Sequence, residues 1–261
     1  MKLDASIAAI VTGGASGLGE ATARHLASFG VKVGICDLNA ERGEKVAAEI
    51  GGAYAQCDVT SDDSVAAALA NLRAKHGVER ILVNCAGIVS GKRTVTKNRD
   101  TGELMAHDMG SFSKTIAINL IGSYRMIAQC SVAMAGLEPL DADGARGVIV
   151  NTSSVAGEDG QMGQAAYAAS KGGILGLTLP VARDLTGFGI RCCSIQPGIF
   201  HTPMFDQIDE KFRISLAAQV PFPSRLGNPK EYAALVESIC RNDYLNGAAI
   251  RLDGAIRLQP K

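Results

Sequence analysis

The stretch Thr12-Gly13-Gly14-Ala15-Ser16-Gly17-Leu18-Gly19 decides the fold of this chain. It lies between an apolar run of strand length at residues 7–12 and a helical pattern at residues 17–29. Its glycines at positions 13, 17 and 19 form G-x-x-x-G-x-G, a variant of the dinucleotide-binding fingerprint. A turn without Cβ atoms lets the backbone approach a pyrophosphate, and the helix N-terminus adds amide donors and a favourable dipole. The glycines alone also fit a merely tight turn, but their place between a strand and a helix favours a dinucleotide site.

Outward from this stretch, apolar runs of strand length alternate with helical patterns. Further strands are predicted at residues 31–36, 53–57, 81–84, 148–152, 190–195 and 248–252, and further helices at residues 40–50, 61–76, 109–135 and 164–185. Alternation of this kind requires parallel crossover connections. We therefore expect an α/β fold, a Rossmann-type doubly wound parallel sheet of about seven strands with helices on both faces. No repeat or low-complexity linker divides the 261 residues, so a single domain spanning 1–261 is predicted.

The composition indicates an ordinary globular protein, with 47% hydrophobic and 20% charged residues. Lysine plus arginine equals aspartate plus glutamate at 26 each, so no overall charge draws the chain to nucleic acid or to a membrane surface. A local basic cluster comprises Lys92, Arg93, Lys97 and Arg99, which is read either as a solvated loop or as a phosphate contact. No apolar run approaches the ~20 residues of a membrane span. We expect neither a nucleic-acid partner nor a membrane.

The seven cysteines show no C-x-x-C spacing, and several stand in apolar runs, which is typical of free thiols in a reducing compartment. The four histidines are scattered without ligand spacing, so no metal site is predicted. Only six residues precede the first predicted strand, too few for a signal or transit peptide. The sequence therefore predicts a cytoplasmic protein without a metal.

Two segments break the alternation of strands and helices. Residues 88–108 are polar and contain glycine, and residues 197–228 are rich in proline. Both follow the ends of predicted strands, where doubly wound sheets bind their ligands, and long irregular segments in such folds are usually functional. We expect residues 197–228 to form a substrate loop that closes over the bound substrate.

An acidic residue, Asp37, ends the second predicted strand, 18 residues after Gly19. A carboxylate at this place accepts hydrogen bonds from the hydroxyls of the adenosine ribose and repels a 2′-phosphate. Although Arg42 is nearby, Asp37 favours NAD over NADP as the cofactor. The alternative is that Asp37 serves as the N-cap of the next helix.

Three polar residues form a candidate catalytic group. Tyr167 and Lys171 are four positions apart on a predicted helix and therefore share a face, and Ser154 follows a buried strand. Hydride transfer from an alcohol carbon requires a base for the hydroxyl proton, but the tyrosine pKa of about 10 is high for this role. A neighbouring ammonium should lower the pKa of Tyr167, while Ser154 holds the substrate oxygen. The alternative is a core tyrosine, a surface lysine and a capping serine.

Together these motifs resemble the short-chain dehydrogenase/reductase family over essentially the whole chain. Asn84-Cys85-Ala86-Gly87 matches the family's Asn-Asn-Ala-Gly motif with cysteine in second place, and Asn119 matches its helix asparagine, which holds a water in a proton relay to the lysine. The resemblance implies that Ser154, Tyr167, Lys171 and Asn119 form the catalytic group. It implies cofactor contacts from residues in every motif, namely Gly13, Ser16, Gly17, Leu18, Gly19, Asp37, Asp58, Val59, Asn84, Cys85, Ala86, Gly87, Tyr167, Lys171, Pro197, Gly198, Phe200 and Thr202.

Other stretches resemble the members of that family that act on 3-hydroxyacyl-CoA, among them Gly163-Gln164-Ala165-Ala166-Tyr167 and the segment from Arg251 to Arg257. The resemblance implies NAD-linked oxidation of (S)-3-hydroxyacyl-CoA in fatty-acid or branched-chain amino-acid breakdown. It also implies a homotetramer. Substrate contacts are expected from Ser154, Gln164 and Tyr167. Glu158 and Asp159 depart from the pattern after the serine strand, and we expect this acidic pair to alter the mouth of the substrate site.

Two alternative functions stay open at this point. The first is a dehydrogenase for a steroid or another small secondary alcohol, because one short-chain fold supports many substrates by loop variation. The second is a non-catalytic NAD-binding assembly subunit. Such a subunit can lose its tyrosine or lysine, whereas this chain retains Ser154, Tyr167, Lys171 and Asn119.

Overall fold

The structure is a computed structural model that describes residues 1–202 and 210–260. Seven parallel strands form one sheet in the order β3-β2-β1-β4-β7-β8-β9, and two further strands, β5 and β6, form an antiparallel hairpin. The strands are β1 Ala8–Thr12, β2 Lys32–Asp37, β3 Ala53–Gln56, β4 Ile81–Asn84, β5 Val95–Lys97, β6 Leu104–Ala106, β7 Gly147–Thr152, β8 Ile190–Pro197 and β9 Ala249–Leu252. The predicted doubly wound sheet is confirmed.

Helices cover both faces of this sheet. They are α1 Gly17–Ser28, α2 Ala40–Ile50, α3 Asp62–His76, α4 Met109–Ile116, α5 Ser123–Ala135, α6 Ala165–Asp184, α7 Glu210–Ala217 and α8 Pro229–Arg241. Successive side chains of a strand point to opposite faces. In β7, Val148 and Val150 accordingly join the core cluster beneath α1 and α8, whereas Ile149 joins the cluster beneath α3, α5 and α6. Burial on both faces explains why the strands read as continuous apolar runs.

The structure departs from the predicted elements in three places. The predicted helix at 109–135 is interrupted by one π-helical segment, Ala117–Gly122, which separates α4 from α5. The irregular stretch at 88–108 contains the exposed β5–β6 hairpin. Helices α7 and α8 were not predicted, although α8 has a clear N-terminal signal: Asn228 caps it, Pro229 opens it and Glu231 completes a capping box.

Within residues 1–202 and 210–260, no helix is both long enough and apolar enough to cross a bilayer.

Candidate active site

A cleft of about 880 Å³ opens at the carboxyl ends of the parallel strands. It lies where the strand order reverses: β2 and β3 follow β1 on one side, and β4 then pairs with β1 on the other side. This is the usual ligand position in open α/β sheets. Most of the predicted site residues line it: Gly13, Ser16, Gly17, Leu18, Gly19, Asp37, Asp58, Val59, Cys85, Ala86, Gly87, Ser154, Tyr167, Lys171, Pro197, Gly198, Phe200 and Thr202. Residues 203–209 of the expected substrate loop lie outside the described residues.

Two glycines of the loop at one end of the cleft leave no room for a Cβ atom. A Cβ added to Gly19 would lie 2.2 Å from the carbonyl oxygen of Gly13, and Gly13 itself has a φ of +63°. Helix α1 begins within this stretch, at Gly17, with Ser16 at its N-cap but without a side-chain cap. The first-turn amides of a helix have no acceptor within the helix, and they favour an anion. The loop therefore fits a phosphate group held by backbone.

The carboxylate of Asp37 lies beside this loop. Its Oδ2 accepts a hydrogen bond from the amide of Ala15 at 3.0 Å, and its Oδ1 accepts from the amide of Asn39 at 3.0 Å. The cap of α2 is Asn39, whose side chain accepts from the amide of Arg42 at 3.0 Å. The alternative interpretation of Asp37 as the helix cap is therefore wrong. Asp37 instead connects the glycine loop to the end of β2 and presents a negative charge to the cleft.

The segment after β4 forms the wall between the two halves of the cleft. The amides of Cys85 and Ala86 both donate to Oγ1 of Thr12 at 3.1 Å. Asn84 is buried, and its Nδ2 donates to Oδ1 of Asn151 at 2.9 Å. Asn84 does not line the cleft, so the structure places it behind the wall, where it ties β4 to β7.

Three side chains converge on the opposite side of the cleft. Tyr167 and Lys171 share one face of α6, and the Lys171 Nζ lies 5.9 Å from the centre of the tyrosine ring. Lys171 donates to the carbonyl oxygen of Thr152 at 2.7 Å. Ser154 follows β7 and lies beside Tyr167, where its hydroxyl acts to lower the tyrosine pKa. It also accepts from the amide of Ala156 at 3.1 Å, so the capping role is present together with the contact to tyrosine.

Burial determines the pKa directions of this group. It raises the pKa of Tyr167, and the hydrogen bond with Ser154 acts in the opposite direction. It lowers the pKa of Lys171 to about 8. The net pKa of Tyr167 is therefore raised rather than lowered as expected, because the loss of solvation outweighs the hydrogen bond with Ser154. Tyr167 is therefore held in its neutral form, ready to donate a proton.

Asn119 lies in the π-helical segment and does not line the cleft. Its Oδ1 accepts from the amide of Ile88 at 2.8 Å, and its Nδ2 donates to the carbonyl of Ile88 at 2.9 Å and to Oγ of Ser170 at 3.0 Å. The side chain therefore ties the start of the 88–108 segment to the residue before Lys171. The water relay implied for Asn119 stays a prediction.

Gln164 lines a second cavity of about 380 Å³, between α6 and the segment before the β5–β6 hairpin. Arg93 and Thr94 contribute to its opposite wall. Oε1 of Gln164 accepts from the amide of Gln161 at 3.0 Å. Ala165 and Ala168 at the start of α6 line this second cavity too. The structure thus places Gln164 in a different cavity from the cleft that contains Ser154 and Tyr167.

The acidic pair Glu158 and Asp159 is bound by one arginine. Arg251 in β9 contacts Glu158 at 2.6 Å, Asp159 at 2.8 Å and Asp253 at 2.8 Å. Neither member of the pair lines the main cleft. The expectation that these acids alter its mouth is therefore wrong, because Arg251 draws both carboxylates toward β9.

Several lining residues were missed by sequence reasoning, some of them because their side chains are apolar and give no chemical signal. They are Cys36, Leu38, Cys57, Thr60, Ile88, Val89, Lys114, Ala117, Ile118, Thr152 and Ser153. Thr152 and Ser153 directly precede Ser154, so strand-end position was a usable signal for them. In the part of the chain that the structure describes, no group of three or more histidine, cysteine or acidic residues could hold a metal ion.

Comparison with known proteins agrees with this geometry. The family model described as short chain dehydrogenase matches residues 7–212. The 3-hydroxyacyl-CoA dehydrogenase type-2 of Bos taurus is 50% identical over 97% of this chain and 96% of its own length, and that of Homo sapiens is 48% identical over the same shares. The (3R)-3-hydroxyacyl-CoA dehydrogenase of Homo sapiens is 31% identical over 96% of this chain and 95% of its own. The crystal structure of 3-hydroxyacyl-CoA dehydrogenase type-2 from Mycobacterium avium superposes with a TM-score of 0.93 at 43% identity and covers both chains fully.

Proposed function

This chain belongs to the short-chain dehydrogenase family, and we propose that it interconverts (S)-3-hydroxyacyl-CoA and 3-oxoacyl-CoA with NAD, in fatty-acid or branched-chain amino-acid breakdown. It is an oxidoreductase that uses a nicotinamide cofactor. The proposal depends on one observation above all. Ser154, Tyr167 and Lys171 line the same cleft as the glycine loop and Asp37, in a chain half identical to relatives named for this activity.

The cleft fits NAD on the chemistry of its donors. The glycine loop and the first turn of α1 would hold the pyrophosphate, and Asp37 would accept from the adenosine ribose hydroxyls. Lys171 would donate to the nicotinamide ribose from the other end of the cleft. When bound, nicotinamide supplies the hydride acceptor for oxidation and the hydride donor for reduction.

The proton is handled by Tyr167. In ketone reduction its hydroxyl donates a proton to the substrate oxygen, while Ser154 donates a hydrogen bond to the same oxygen and orients it. The phenolate left on Tyr167 is stabilised by the Lys171 ammonium across the face of α6. Oxidation runs the same steps backward, with the substrate hydroxyl returning its proton to the phenolate.

The basic cluster supports a CoA thioester over a plain alcohol. Lys92, Arg93, Lys97 and Arg99 lie on or beside the β5–β6 hairpin, and Arg93 lines the second cavity together with Gln164. Lys92 pairs with Asp108 at 3.2 Å, and this is an exposed contact that a phosphate can replace at low cost. The steroid dehydrogenase and the non-catalytic subunit are not favoured by the relatives that this chain resembles.

The first experiment measures NADH oxidation with acetoacetyl-CoA, beside NADPH and a panel of plain ketones and ketosteroids. We expect turnover with NADH and the thioester, and we expect reverse turnover with (S)- rather than (R)-3-hydroxybutyryl-CoA. Tyr167→Phe should abolish turnover while leaving NADH binding in place. Activity on a plain ketone without activity on the thioester would overturn the substrate, and full activity of the Tyr167→Phe variant would overturn the mechanism.

A further inference from the structure

A buried hydroxyl chain connects α8 to the Lys171 side chain. Tyr232 of α8 is fully buried, and its hydroxyl lies 2.7 Å from Oγ1 of Thr152. Oγ1 of Thr152 also lies 2.6 Å from the carbonyl oxygen of Asn84. The carbonyl of the same Thr152 accepts the Lys171 ammonium at 2.7 Å. Thr152 therefore contacts Tyr232 through its side chain and Lys171 through its backbone carbonyl.

The direction of these hydrogen bonds follows from the donors available. The Thr152 hydroxyl has one proton, and the carbonyl of Asn84 can only accept, so Thr152 donates to Asn84. Tyr232 must then donate to Thr152. The Cys85 thiol lies 3.7 Å from the Tyr232 oxygen and can donate to it. The chain of donors thus runs from Cys85 through Tyr232 and Thr152 to the end of β4.

Thr152, the last residue of β7, makes hydrogen bonds through both its side chain and its backbone carbonyl. Hydrogen bonds in a buried site are costly to leave unmade, so the Thr152 side chain has one favoured orientation. The Lys171 Nζ uses the carbonyl of this same residue, and a neutral carbonyl is a weaker partner for an ammonium than a carboxylate is. Small movements of Thr152 therefore act directly on the position of the ammonium.

We infer that Tyr232 is a positioning residue for the proposed reaction: through Thr152 it fixes the carbonyl oxygen that holds the Lys171 ammonium in the cleft. Tyr232 does not line the cleft, and the inference rests on the proposed role of Lys171 toward the nicotinamide ribose and Tyr167. The titratable groups that face Lys171 are Tyr167 on its own helix and Cys85 after β4.

The test uses Tyr232→Phe, which removes the hydroxyl and keeps the ring that fills the core. Thr152→Val removes the hydroxyl that accepts the hydrogen bond from Tyr232, and Thr152→Ser keeps a hydroxyl at this position. Thr178→Val is the matched control, because Thr178 is also buried in α6 but donates only to its own helix, at the Ile174 carbonyl. Two quantities are measured for each variant: the NADH dissociation constant without substrate, and the pH profile of kcat/KM for acetoacetyl-CoA reduction.

We expect Tyr232→Phe and Thr152→Val to weaken NADH binding by about threefold to tenfold, the range expected for one net hydrogen bond. In both variants the fall of kcat/KM at high pH should begin at a lower pH, since an ammonium that is poorly held loses its proton at a lower pH. Thr152→Ser should recover most of the affinity, and Thr178→Val should match the parent. Parent-like NADH affinity and pH profile in both Tyr232→Phe and Thr152→Val would overturn the inference. Lack of turnover of acetoacetyl-CoA by the parent protein would overturn the proposed substrate instead, and the NADH constants would still decide the role of Tyr232.

Discussion

Lys171 is buried in α6, and its Nζ donates to the Thr152 carbonyl, a neutral acceptor. Moving a charge out of water is costly when no opposite charge accompanies it. Burial therefore lowers the pKa of Lys171 to about 8, near enough to neutral pH for the charge to be lost under mild conditions. At the scale of single residues, this makes the lysine the most pH-sensitive part of the proposed site.

We predict that acetoacetyl-CoA reduction falls as the pH rises through about 8. The lowered pKa means that Lys171 is an ammonium below that value and a neutral amine above it, where it no longer stabilises the Tyr167 phenolate. The measurement is kcat/KM at saturating NADH from about pH 6 to about pH 10, the range spanned by the ordinary histidine and tyrosine pKa values. Lys171→Arg keeps the positive charge over this pH range. It should therefore shift the fall of kcat/KM to higher pH, at a lower overall rate. A flat profile for the parent protein up to pH 10 would contradict this role.

Cofactor selection is the second property decided by single residues. Asp37 presents its carboxylate at the end of β2, and Arg42 lies in the same part of the cleft wall. Arg42 is drawn toward Glu20 in the first turn of α1, at 3.6 Å, and Glu20 also binds Arg24 at 2.9 Å. Two carboxylates thus oppose a 2′-phosphate, one by repulsion and the other by pairing with the nearest arginine.

We predict that Asp37→Ser raises kcat/KM with NADPH relative to NADH by about tenfold, because it removes a close negative charge. Adding Glu20→Gln should give a further gain of about threefold by releasing Arg42, since an exposed ion pair of this kind is worth less than about 1 kcal/mol. Adding Arg42→Ala to the double variant is the control, and it should cancel that second gain. Unchanged discrimination in Asp37→Ser would remove Asp37 from the account of cofactor choice.

At the scale of elements, β9 is joined to the loop after Ser154. Arg251 in β9 binds Glu158 and Asp159 of that loop, and it also binds Asp253, which is only 9% exposed. The guanidinium is itself 19% exposed and has three carboxylates around it. The end of the sheet and the loop that follows the catalytic serine are therefore held by one side chain.

We predict that Arg251→Ala lowers the free energy of unfolding by about 1–3 kcal/mol, because it leaves three neighbouring carboxylates without their shared cation. Urea or thermal unfolding measures this loss. Arg225→Ala is the matched control: it breaks an equally short pair with Glu231 that is half exposed on both sides, and it should cost clearly less than Arg251→Ala. Equal losses of unfolding free energy in the two variants would show that the Arg251 ion pairs stabilise the fold no more than an exposed ion pair does.

At the scale of the whole molecule, large apolar side chains stand on the outer faces of two neighbouring helices. Tyr124 and Val132 of α5 are exposed, as is Leu179 of α6. Large exposed apolar side chains are a common feature of the contact surfaces of globular proteins. The homotetramer implied by the family resemblance stays a prediction, and these faces are where it can be tested.

We predict that light scattering gives four times the chain mass, and that Val132→Glu lowers the assembly to dimers or monomers. A buried unpaired carboxylate opposes association strongly, whereas on an exposed face it costs little. Lys75→Glu is the control for charge, because Lys75 is an exposed residue of a different helix, α3. A parent protein that runs as a monomer at micromolar concentration would contradict the tetramer.

Local sequence patterns were enough to predict the fold class, the position of the glycine loop and the candidate catalytic group. These follow from local rules: strands buried on both faces are continuous apolar runs, glycines between a strand and a helix let the backbone approach a phosphate, and Tyr167 and Lys171 share a face because of helical periodicity. The capping role of Ser61, whose side chain accepts from Ser64, was readable for the same reason. In each case the determining contacts lie within a few residues of one another.

Contacts between side chains that are far apart in the sequence could be identified only from the three-dimensional packing. Asn84 and Asn119 face away from the cleft, Gln164 lies in a separate cavity, and the acidic pair after Ser154 belongs to Arg251, 92 residues away in the chain from Asp159. The direction of the Tyr167 pKa shift was likewise beyond the sequence, because burial depends on every element packed around α6. Desolvation and long-range hydrogen bonding are properties of the packed molecule, and no local pattern of residues records them.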